Sequence, residues 1–147
     1  MQAKLQSTAG ALLRIVSGAM FTCHGLQKIL GWLTTKPQPE LFSQMWFGGI
    51  IELVGGILIA IGLCTRPIAI LASGTMAVAY FQFHWKLAFD NWKFLPIVNG
   101  GEAAVLYCFI FLVFGVMGAG ALSIDGLIKR GPRVPERIHM NPPMPPR

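Results

Sequence analysis

The chain has 147 residues, of which 54% are apolar and 12% charged, with twelve Lys and Arg against six Asp and Glu. Counting the 17 glycines, about two-thirds of it is apolar, whereas an ordinary soluble domain is roughly half apolar and about a quarter charged. So few charges cannot coat a soluble particle of this size, and despite the net charge of +6 they exclude a nucleic-acid-binding module. A chain whose solvent is largely lipid remains.

Four long apolar runs follow in order, each of about the 20 residues needed to cross a hydrocarbon core ~30 Å thick. The first, 9–32, is interrupted by Arg14, His24 and Lys28, with Arg14 near enough to its own end to snorkel to the surface. The second, 45–63, holds one charge, Glu52; the third, 67–85, holds none; the fourth, 97–121, holds Glu102. Pro37 and Pro39, Arg66-Pro67, and Pro96 punctuate the three connections, and a proline in the first turn of a helix sacrifices no hydrogen bond. Trp32, Trp46, Trp85 and Trp92 lie at or beside run ends, where an amphipathic ring prefers the headgroup zone. The predicted fold is all-α: an integral membrane four-helix bundle over 1–128, followed by a disordered Pro/Arg-rich tail over 129–147.

The first run is too long for the apolar core of a secretory signal and is expected to remain as helix 1. Orientation follows from the basic residues: Lys4, Arg14, Arg66, Lys129, Arg130, Arg133, Arg137 and Arg147 fall on one side, and Lys28, Lys36, Lys86 and Lys93 on the other. Eight against four predicts both termini in the cytoplasm.

Depth is the most informative property of the polar residues. His24, Gln27 and Lys28 lie in the second half of helix 1, Glu52 in the first half of helix 2, Tyr80 and His84 late in helix 3, and Asn99 and Glu102 early in helix 4. Alternate helices run in opposite directions, so all eight fall in the outer half of the bilayer, with Glu52 ~10 Å deep. His24 and Lys28, Tyr80 and His84, and Asn99 and Glu102 are three or four residues apart, so each pair shares a helix face. Ionisable groups in lipid cost ~2.5–3.5 kcal/mol even on a lenient scale, so these faces are expected to point inward as one polar cluster. Interhelical hydrogen bonding is the bland alternative, but it is worth only about 0.6 kcal/mol per contact and does not call for two carboxylates, two imidazoles and an ammonium at one level.

Small residues allow close packing around such a cluster: Gly48, Gly49, Gly55, Gly56 and Gly62 on helix 2, Ala69, Ser73 and Ala77 on helix 3, and Gly100-Gly101 beside Glu102. Cys23, Cys64 and Cys108 form no CxxC pair, which argues against a disulfide exchanger and leaves them as apolar filler. No metal site is expected, because Lys28 beside the two imidazoles opposes a cation.

These residues occur in blocks: HGLQK at 24–28 followed by GW at 31–32, ELVGG at 52–56, GLCTRP at 62–67, AVAYF at 77–81 with His84-Trp85, FLPIVNGGEAAVLYCFIFL at 94–112 and GAGALSID at 118–125. In order and spacing they resemble the DoxX family of small four-helix membrane proteins over roughly residues 8–128. Ala119 and Ala121 depart from it, since related sequences often have proline and tryptophan there. The resemblance implies a multi-pass protein of the bacterial inner (cytoplasmic) membrane linked to redox metabolism. Relatives are described as the membrane part of a thiosulfate:quinone oxidoreductase, or as scaffolds joining superoxide dismutase to a sulfurtransferase. The positions that match its motifs are His24, Gln27, Lys28, Glu52, Arg66, His84, Asn99 and Glu102.

The first functional expectation is a subunit of a membrane oxidoreductase complex whose cluster binds a quinone headgroup or a small sulfur oxyanion. Lys28 would supply positive charge, His24 and His84 hydrogen bonds and protons, and Glu52 and Glu102 a proton path. Quinone is then the cofactor class, with the lipid bilayer and protein partners, or further copies of the chain, around it. The alternative is a non-catalytic accessory or scaffold subunit with a structural cluster and the tail as a docking arm. A transporter ranks third, since the half without polar groups is closed by aliphatic side chains and no inverted repeat is visible.

Overall fold

The computed structural model describes residues 1–129, so the predicted tail, Lys129 apart, lies outside the described residues. Those residues fold into helices and connections with no strand among them. Helix α1 spans Gln2–Ile29 and α2 spans Gln44–Ile61. Helix α3 spans Thr65–Ala79 and continues as a π-helical segment, Tyr80–Trp85. A short α4, Pro96–Asn99, precedes α5, Glu102–Met117, and α6, Ile124–Lys129. By length and apolarity α1 and α2 are each sufficient to cross a membrane, while α5 is apolar but shorter.

Helices α1 and α2 run antiparallel with their backbones in contact, because glycine replaces side chains at each crossing. A Cβ on Gly18 would sit 2.6 Å from the Ala60 amide nitrogen, and one on Gly56 would sit 2.6 Å from that of Thr22. Gly25 presses on Leu53 and Gly49 on Lys28 in the same way. Helices α3 and α5 form the second antiparallel pair: the Ser73 hydroxyl donates to the Cys108 carbonyl at 2.8 Å, and Gly115 lies against Ile70. Phe21 of α1 joins the pairs by packing on Tyr107 and Phe111 of α5, within a core that includes Ile59, Ala69, Ala72, Met76 and Phe114. Outside this core, Leu12, Leu13, Val16, Ile57, Leu71, Leu106, Phe109 and Val116 are exposed, an apolar exterior that suits hydrocarbon and would aggregate in water.

The end carrying the connection 62–64 and the segment 118–125 is locked by Arg14, which does not snorkel. Its guanidinium is fully buried and donates to five carbonyls: Ile59 (2.7 Å) and Ala60 at the end of α2, Ala119 (2.9 Å), Ala121 (3.3 Å) and Leu122 (2.7 Å) beyond α5. Helix ends leave carbonyls without intrahelical partners, and the planar fork of arginine matches several at once, so burial wins over escape to the surface. Asp125 completes the lock by accepting the Cys64 and Thr65 amides, at 2.8 and 2.9 Å, as the cap of α3.

The opposite end, here the loop end, carries connections 30–43 and 86–95. The fourth predicted run is broken there: Gly100 adopts φ +71° and the Asn99 side chain accepts the Gly101 amide at 2.8 Å, so α4 stops and α5 starts anew. Two further irregularities were not foreseen. Helix α2 contains a π-helical turn, Ile51–Gly55, in its middle, and α3 ends in the π-helical segment already described.

Candidate functional site

A cavity of about 900 Å³ opens at the loop end between α1, α2 and α3, and both π-helical segments contribute to its wall. Isolated π turns re-aim side chains at some cost in helix stability and occur frequently at functional sites. Here the first carries Glu52 and the second carries Phe83 and His84. The connection 30–43 folds over the cavity through Thr34, Lys36, Pro37 and Pro39, held by the Gln38 amide donating to the Ile29 carbonyl at 3.2 Å. Gln44 at the start of α2 donates to Gln82 at 2.6 Å and closes the gap to the end of α3.

Glu52 is the key side chain. It is 3% exposed, and its Oε1 accepts from the Lys28 ammonium at 2.6 Å. Its Oε2 is buried with no partner. A carboxylate removed from water is tolerable when paired, and every remaining lone pair still calls for a donor. Lys28 keeps a third of its side chain exposed and lines the same cavity, so its other N–H groups remain available. His24 and Gln27 of α1 also line it; Gln27 donates to the Leu33 carbonyl at 3.1 Å and anchors the overlying connection. Across the cavity, His84 Nδ1–H donates a long bond, 3.4 Å, to the Asn99 carbonyl, which leaves Nε2 for a second contact.

Five of the eight sequence-predicted residues, His24, Gln27, Lys28, Glu52 and His84, therefore line one cavity. Tyr80, Asn99 and Glu102 do not line it. The Tyr80 hydroxyl donates to the Phe94 carbonyl, while Asn99 donates to the Lys93 carbonyl at 2.8 Å and to Tyr80 at 3.4 Å. These two build the turn that launches α5. Glu102 is exposed in the first turn of α5, where its charge suits the helix dipole.

Tyr107 escaped sequence reasoning. It is buried in α5 with its ring edge-on to His24 at 5.9 Å, and its hydroxyl has no partner. The only signal was a lone phenol in the apolar run VLYCFIF. At the other end, a smaller hollow of about 300 Å³ beside Arg66 and Asp125 belongs to the Arg14 lock.

Residues 9–85 match the sequence profile of DoxX, more than half of the chain and all three helices that wall the cavity. This chain belongs to the DoxX family. An uncharacterized protein of Haemophilus influenzae is 42% identical over 118 residues, covering 78% of this chain and 87% of the relative. The DoxX assignment also agrees with more distant relatives. The inner membrane protein YqjF of Escherichia coli is 27% identical over 135 residues, 86% of this chain and 97% of the relative. A Bacillus subtilis protein named "Putative oxidoreductase CatD" is 26% identical over 127 residues, 82% of this chain and 87% of the relative. No solved structure matches. The chain is thus an all-helical DoxX-family protein of a bacterial membrane, in contact with the lipid bilayer.

Proposed function

We propose that this DoxX protein is a four-span membrane protein with both termini in the cytoplasm, acting as a redox-associated subunit whose loop-end cavity holds a quinone headgroup. Four spans are supported by the antiparallel packing and by α3, whose 15 residues are lengthened by six π-helical ones. Redox association draws on the relative named as an oxidoreductase.

The observation that carries the site is Glu52: a nearly fully buried carboxylate paired with Lys28 on the wall of a large cavity. The ammonium of Lys28, a third exposed on the cavity wall, is a fitting donor to a quinone carbonyl, with the Glu52 carboxylate holding it in place. His84, which lines the same cavity, offers a second polar contact. A sulfur oxyanion fits less well, because the Glu52 carboxylate already balances the charge of Lys28 and a second anion beside the pair would go uncompensated. The chain would work within a larger oxidoreductase complex or as a homo-oligomer.

Purification in mild detergent and solvent extraction should recover stoichiometric quinone with the wild-type chain. Glu52→Gln and His84→Ala should each lower retention by about tenfold, the value of one charge-assisted hydrogen bond. Quinone no higher than in an unrelated membrane protein, or retention unaffected by both substitutions, would overturn the proposal.

A further inference from the structure

We infer that the ligand of this site is an amphiphile whose apolar chain leaves the cavity between α2 and α3, through a gap at Gly48 and Gly74, and exchanges with the bilayer. The inference rests on the cavity being the ligand site and adds the class of ligand and its route.

The cavity is sorted by polarity along the helices. His24, Lys28, Glu52 and His84 stand toward the loop end, and the wall farther down α3 is made by Ile70, Leu71, Met76 and Val78. Leu71 lies six residues from the start of α3, ~9 Å from that end of the helix, so the apolar part reaches the hydrocarbon interior. Such a gradient repeats that of a lipid: head at the surface, tail toward the midplane.

The glycines separate into two kinds. At Gly18, Gly25, Gly49 and Gly56 an added Cβ would collide with the neighbouring helix, so those residues exist for contact. Gly48 on α2 and Gly74 on α3 both line the cavity, and a Cβ added at either meets nothing within 4 Å. Their absent side chains leave open space between two helices whose flanking residues, Phe47 and Leu71, are about half exposed. The second, independent observation is the Lys28–Glu52 ion pair on the wall of the same cavity, with Lys28 a third exposed, which fixes where the head of the ligand stops. A volume near 900 Å³ is at the upper end for a drug-sized ligand and exceeds what a single ring needs.

The test compares two probes on protein in nanodiscs: decylubiquinone, with a ten-carbon tail, and the tailless ring ubiquinone-0, with affinities expressed per mole fraction in the lipid. Wild-type protein should bind the tailed probe at least about tenfold more tightly. Gly74→Leu, and separately Gly48→Leu, should remove most of that preference while leaving ubiquinone-0 binding and the melting temperature unchanged. Equal affinities for both probes, or a preference untouched by both plugs, would overturn the tail route while leaving the headgroup site standing. If neither probe binds more tightly to wild type than to Glu52→Gln, the site itself fails and the inference with it.

Discussion

Replacing Arg14 should do more damage than replacing any charged residue in the cavity. Its guanidinium donates to five carbonyls contributed by the end of α2 and the segment after α5. Each charge-assisted bond is worth ~1.5–3 kcal/mol, but the cost of burying the cation offsets much of the sum. Removing one partner from such a buried network typically costs ~3–5 kcal/mol, and that is the loss expected for Arg14→Met. Arg14→Lys keeps the charge but offers three N–H groups from one point rather than five in a fork, so at least two carbonyls lose their donor and about 2–3 kcal/mol is lost. Reversible unfolding in mixed SDS and dodecylmaltoside micelles, followed by tryptophan fluorescence, measures both. An Arg14→Met chain within about 1 kcal/mol of wild type would refute the lock, because four carbonyls left without a donor, with only Ile59 keeping the Gly62 amide, cannot be that cheap.

Asp125→Ala should cost ~1–2 kcal/mol in the same assay, the value of a helix cap, and speed amide exchange at Cys64 and Thr65, whose N–H groups it accepts. Gly25→Ala forces a Cβ into Leu53 and should destabilise by ~1–3 kcal/mol, whereas Gly48→Ala enters open space and should be neutral; equal effects would contradict the helix contact. Among the connections, the hydrogen bond from Lys93 holds the exposed Asp90 carboxyl below its ordinary range. A depressed carboxyl contributes stability above its unfolded pKa and loses it as pH falls through the folded one, so Lys93→Ala should move the Asp90 titration upward by NMR with little change in stability. An unmoved titration would show that the pair does not form.

The positions of the apolar runs were legible because length without charge is a one-dimensional property. Runs 45–63 and 67–85 correspond to helices at Gln44–Ile61 and from Thr65 to Trp85. Helix α1 begins earlier than its run, at Gln2, since nothing in residues 2–8 breaks a helix, and the fourth run hides the Gly100 break. Which end of each helix the polar residues occupy was legible for the same reason as the runs, but rotation was not. A four-residue spacing puts His24 and Lys28 on one face without fixing which neighbour that face meets, so Tyr80 and Asn99 could be drawn to the α5 turn and Glu102 left exposed. Arg14 was misread because snorkelling depends only on distance to the surface, whereas its five acceptors come from segments up to 108 residues away. The π-helical turns leave no periodic trace in a uniformly apolar sequence; Gly55-Gly56 beside the first is the nearest thing to a sign.

The cavity walled by α1, α2 and α3 is the proposed seat of the ligand. Photolabelling with an azidoquinone, followed by peptide mapping, tests this most directly. Adducts should concentrate on the stretches 45–52 and 75–84, disappear with excess quinone and fall in Glu52→Gln. Label spread over the lipid-facing side of α5, at Leu106, Phe109 and Val116, and indifferent to Glu52 would contradict it.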